Sequence, residues 1–142
     1  MRSGFLAILA IAALTLGCDN SGDSSTTTPT TPTATASVVE TFTGTVDPQG
    51  SASHNFNVPT TGTVNVTLTA VGPPSTIFMG LGIGVPGTDG ACALISTATT
   101  STQASQTPQL GGTASPGPLC VKIFDIGNQT AAVSYTITVA HP

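Results

Sequence analysis

Strict alternation constrains this chain more than any other feature. Val64, Val66, Leu68 and Ala70 are separated by Asn65, Thr67 and Thr69, and Val133, Tyr135, Ile137 and Val139 by Ser134, Thr136 and Thr138. Successive side chains of a strand point to opposite faces, so both segments predict one apolar face turned inward and one hydroxyl-bearing face toward water. Ala52, His54, Phe56 and Val58 make a third strand, preceded by one over Val38 to Val46. Between them, Asp47-Pro48-Gln49-Gly50 has the aspartate, proline and glycine placement of a type I turn. Leu119 to Ile126 is apolar on both faces, as expected for a strand covered on both sides. Ala91 to Ser96 reads as a short strand. Thr97 to Pro118 reads mostly as loop, because Pro108, Pro116, Pro118, Gly111, Gly112 and Gly117 oppose regular pairing. With no helical stripe over 38–142, about seven or eight short strands predict an all-β fold, an antiparallel β-sandwich or jelly roll.

One strand is unusual. Ile77, Met79, Leu81, Ile83 and Val85 alternate with Phe78, Gly80, Gly82 and Gly84, leaving one face apolar and the other mostly bare backbone. Such a glycine stripe admits either a ligand in a shallow groove or a ring, such as Phe124 or Phe78, packed over it. Twisted sheets use glycine for their own curvature, which favours the second reading.

The N-terminus carries an address. Behind Met1 and Arg2, residues Gly4 to Leu16 are uncharged, and small Gly17 follows, the plan of a secretory signal. The run is shorter than the roughly 20 apolar residues that a membrane-spanning helix needs. Leu14-Thr15-Leu16-Gly17-Cys18 resembles the bacterial lipobox, with Thr15 where leucine is usual. That resemblance implies acylation of the Cys18 thiol and cleavage in front of it. An ordinary cleaved signal with an incidental Cys18 is the alternative. Asp19 resembles the inner-membrane retention signal of enteric lipoproteins, a rule that does not transfer to every phylum, so the leaflet stays open. From Ser24 to Ser37 only Pro29, Pro32, Ala34 and Ala36 interrupt Ser and Thr, too little apolar surface for a core. The segment reads as a disordered, extended tether, and its composition also resembles O-glycosylated stalks. The expected organisation is a signal peptide over 1–17, a lipidated cysteine and tether over 18–37, and a sandwich over 38–142. The expected location is the bacterial cell envelope, outside the cytoplasm.

Three cysteines leave one odd. Acylation accounts for Cys18, and an oxidising compartment would allow Cys92 and Cys120 to pair. Two separately buried thiols are the alternative.

Charge removes several functions. Of two cations, Arg2 lies in the signal and only Lys122 remains, against six acids. Nucleic-acid binding and attraction to anionic headgroups both rest on Lys and Arg, so membrane attachment falls to the acylated Cys18 alone. For catalysis the chain offers two histidines: His54 shares parity with Phe56 and Val58, a structural position, and His141 is next to last, where chains fray. His-Glu-x-x-His and Gly-x-Ser-x-Gly are both absent, and Glu40, Asp47, Asp89 and Asp125 form no close pair. Calcium takes about six to eight oxygens, more than Asp125 with Asn128, or Asp89, supply; Asp89-Gly90 reads as a turn. Without tryptophan there is no broad platform for a sugar ring. No catalytic, cofactor or metal residue is assigned.

His54-Asn55-Phe56-Asn57-Val58-Pro59, then Gly62 and the strand from Val64 to Ala70, resemble the opening of the bacterial pre-peptidase C-terminal domain. Pro116-Gly117-Pro118 before Leu119-Cys120-Val121-Lys122-Ile123, and the closing Tyr135-Thr136-Ile137-Thr138-Val139, resemble its later turn and last strand. The likeness departs at Met79-Gly80-Leu81-Gly82, where that family often carries an Asp-Leu pair. It implies a non-catalytic jelly-roll appendage. Two functions follow: a lipid-anchored envelope module that binds a protein or polymer partner or has a structural role, or a small exported hydrolase or inhibitor with a site assembled from distant polar residues.

Overall fold

The computed structural model describes residues 37–142. The expected signal peptide, Cys18 and the tether up to Ala36 lie outside the described residues. Eight strands follow in order: β1 (Val38–Val46), β2 (Ser51–Val58), β3 (Gly62–Gly72), β4 (Met79–Pro86), β5 (Cys92–Thr102), β6 (Leu110–Ala114), β7 (Gly117–Phe124) and β8 (Val133–His141). They form two four-stranded antiparallel sheets, ordered β1-β8-β3-β6 and β2-β7-β4-β5. Only the β4–β5 hairpin stays within a sheet; each other connection crosses to the facing one, the double-sheet jelly roll.

Alternation builds the core. Val64, Val66 and Leu68 from β3 meet Tyr135, Ile137 and Val139 from β8, and Met79, Leu81, Val121 and Ile123 come from the opposite sheet. Burying each large side chain contributes about 1.5–3 kcal/mol. The pattern fails at Ala70, which is exposed: a bulge between Leu68 and Ala70 shifts the register and turns Val71 inward in its place.

Three expectations are corrected. The stretch from Thr97 to Pro118 is not mostly loop, since β5 runs on to Thr102, β6 forms over Leu110–Ala114 and β7 begins at Gly117. Its glycines are tolerated because β6 is an edge strand, paired only with β3. Pro118 sits at the start of β7, beyond Cys120, the last β7 residue in the ladder with β4. The strand expected over Leu119 to Ile126 is therefore β7 and spans Gly117–Phe124. The turn after β1 is closed by Gly50 N–H donating to the Asp47 carbonyl at 2.8 Å, but Gln49 has φ of 60°, which belongs to type II and not type I. The two types differ by a flip of the central peptide. Here the flipped Gln49 N–H donates to Asp125 Oδ2 at 2.8 Å.

The glycine stripe of β4 is covered. A Cβ on Gly80 would strike the Phe124 ring, one on Gly82 would come within 2.8 Å of Leu94 and 2.9 Å of Thr99, and one on Gly84 would strike the Ala93 carbonyl. The stripe is thus filled by neighbours and is no open groove. Cys92, the first residue of β5, is disulfide-bonded to Cys120 of β7, with Cα atoms 5.8 Å apart. Gly84 pairs with Cys120, and its missing Cβ would lie 3.0 Å from Cys92 Sγ, so the bridge packs against bare β4 backbone.

Candidate functional site: an apolar cleft between two edge strands

The sandwich has two open sides, one between edge strands β1 and β2 and one between β5 and β6. Aromatic rings seal the first. Phe42 of β1 stacks on His54 of β2 with centroids 4.7 Å apart and planes 10° from parallel. His54 Nε2 lies 2.7 Å from the Tyr135 hydroxyl, and Gly44 makes room for that phenol, since a Cβ there would come within 2.5 Å of its oxygen. Burial lowers the His54 pKa from 6.5 and raises that of Tyr135 from 10.0, favouring the neutral form of both groups. On the same side His141 stands 2.9 Å from Glu40 Oε1 and packs its ring against Phe56, centroids 5.5 Å apart. His141 is not frayed. It is 4% exposed and paired in register with Val38. Both histidines therefore serve to close this side.

The opposite side stays open as a cleft of about 640 Å³. Val64, Ile83, Leu110 and Leu119 line its interior, and Val85 and Ile95 stand at its mouth, 47% and 41% exposed. Hydroxyl-bearing Thr97, Thr113 and Ser115 border it, Thr113 with its side chain on the outer face of β6, and no titratable residue lines it. Small-molecule pockets commonly measure about 300–1,000 Å³.

A missing side chain accounts for the opening. On β6 the positions opposite Val66, Val64 and Gly62 are Leu110, Gly112 and Ala114, so these three share the inward face. A core strand would place a branched residue at the middle one. At Gly112 a Cβ would meet nothing within 4 Å. Sequence reasoning missed both β6 and the cleft; the one available signal was the alternation Leu110-x-Gly112-x-Ala114, weakened by two consecutive glycines.

The acids weighed for calcium are engaged with backbone. Asp125 Oδ2 accepts the Gln49 N–H, and Oδ1 accepts those of Gly127, Asn128 and Gln129 at 2.9, 3.1 and 3.2 Å. Asp89 Oδ1 accepts the Ala91 N–H at 3.0 Å, closing the β4–β5 turn in which Gly90 has φ of +79°. Among the described residues no group of three or more His, Cys, Asp or Glu is placed to hold a metal ion.

The Gln49 N–H, followed by the other backbone donors, holds the Asp125 carboxyl below its ordinary value of 3.8. A depressed carboxyl stabilises the fold above the unfolded pKa, and that contribution disappears as pH falls through the folded one. Asp125→Asn is therefore expected to unfold at lower urea than the parent at neutral pH, with the gap closing once the pH drops below 3.8. Urea titrations at both pH values check this, and an equal gap at each would assign the loss to geometry and not to charge.

Of the cysteines singled out in the sequence, Cys92 and Cys120 are joined, and Cys18 lies outside the described residues. No protein-family model and no curated protein matches the chain.

Proposed function

We propose that this chain is a non-catalytic, lipid-anchored protein of the bacterial envelope that presents a pre-peptidase C-terminal-like sandwich on a flexible tether. Its β5–β6 cleft is the binding surface. The observation that carries the reading is the contrast between the two sides of the sandwich: the histidines lie on the sealed side, and the open side has no titratable group. A hydrolase needs a base beside a nucleophile at the place where substrate enters. His54 faces Tyr135 and His141 faces Glu40, and neither borders the cleft. The lipobox-like segment ending at Cys18 supports the anchor, and acyl chains contribute about 0.8 kcal/mol per buried methylene. A protein or polymer of the envelope, not nucleic acid, is the class of partner that this composition favours.

Cells grown with an alkyne-bearing palmitate are expected to label the parent protein and not Cys18→Ser. Label that persists in Cys18→Ser, or a processed chain free in the culture medium, overturns the anchor.

A further inference from the structure

We infer that the β5–β6 cleft holds an uncharged aliphatic chain, such as the alkyl portion of a neutral lipid or long-chain alcohol. This goes beyond the protein or polymer partner of the proposed function and rests on the cleft being a binding site.

Shape, charge and surface chemistry converge on that ligand. Val64 and Ile83, 2% and 8% exposed, form the closed floor of the cleft, and the more open Leu110, Leu119, Val85 and Ile95 form its walls, so an occupant lies in a trough between the two edge strands. Its walls are branched aliphatic side chains, glycine and proline, with no aromatic residue on which a ring could stack. The single cation of the described residues, Lys122, is in register with Gly82 and Ser53, on the sheet face opposite that of Leu81 and Ile83. None of Glu40, Asp47, Asp89 and Asp125 lines the cleft. A carboxylate or ammonium head would enter without a counter-charge, and desolvating it unpaired is costly. The hydroxyls of Thr97 and Ser115 can instead bond the hydroxyl or ester of a neutral head.

Gly112 then acquires a role. The residue that would complete the core opposite Val64 is withheld, and ligand occupies its place. Gly112 has no positive φ, so a larger residue there fills the cleft without backbone strain.

The test uses the chain from residue 18 onward, which contains the whole sandwich, carrying Cys18→Ser so that no acyl group of its own competes. N-phenyl-1-naphthylamine, an uncharged hydrophobic fluorophore, is titrated in and displaced with 1-dodecanol, dodecanoate or dodecyltrimethylammonium. Saturable binding is expected, with dodecanol at least about tenfold more effective than either ion. Gly112→Leu is expected to weaken the probe about tenfold or more while unfolding at equal or higher urea. Ile95→Ser, at the mouth, weakens it severalfold and decides the matter if Gly112→Leu does not fold. Unchanged affinity in the folded variants, equal displacement by the ions, or a dimer in sedimentation that Gly112→Leu dissociates would overturn the assignment. Because the acyl group is absent, failure here is separate from failure of the anchor.

Discussion

Replacing Cys92 and Cys120 together with alanine is expected to lower the unfolding free energy by about 3–4 kcal/mol. The bridge has a sequence separation of 28, and the chain-entropy estimate for such a loop is about 3.6 kcal/mol. Topology adds a local consequence. β5 is an edge strand whose only ladder runs to β4, and that ladder is broken by a register shift between Gly82 and Gly84. The disulfide fixes the first residue of β5 to β7, a strand one place further into the sheet. Without it, amide exchange should accelerate most in β5, where Ile95 and Thr97 form one wall of the cleft. Urea unfolding with and without the two substitutions gives the global loss, and hydrogen exchange gives its location. A midpoint that the substitutions leave in place would show that the bridge contributes nothing to stability.

A single methyl group at position 84 is expected to be similarly damaging. Gly84→Ala drives its Cβ into the Ala93 carbonyl and to 3.0 Å from Cys92 Sγ. A carbonyl within a ladder cannot rotate away like the end of a side chain. Accommodation therefore requires β5 to move off β4, at a cost of roughly 3 kcal/mol or more. Gly82→Ala provides the contrast, because it meets the ends of Leu94 and Thr99, which can shift, and its cost should be nearer 1 kcal/mol. The ordering 84 worse than 82 is the sharp expectation, read from paired urea midpoints. Equal midpoints would mean that the stripe is not packed as described.

Legibility followed the range of the determining contact. The alternation in β3 and β8 is local and specifies both strands, because each inward residue is apolar in its own right. β6 has no such local mark: Gly111 and Gly112 favour no strand, and only the ladder with β3 makes them one. The turn at Gln49 was misread for the same reason. Proline and glycine suit either turn type, and the choice is made by Asp125, 76 residues away. His54 was placed correctly by parity, whereas proximity to the chain end concealed that His141 is held by Glu40 and Phe56. The cleft was the least legible feature of all. It arises from an absent side chain on one sheet facing an open edge on the other, and no window of sequence contains both.

The pairing of β1 with β8 bears on how the chain acquires its shape. Val38 is opposite His141 and Val46 opposite Val133, so the earliest strand of the sandwich can gain its neighbour only when the last has been delivered. A polypeptide moving through a narrow conduit amino end first would carry β1 unmatched for nearly its whole passage. Such non-local closure is intrinsically slow, on the order of milliseconds to seconds. For a chain delivered in that order, completion of this sheet would follow the threading.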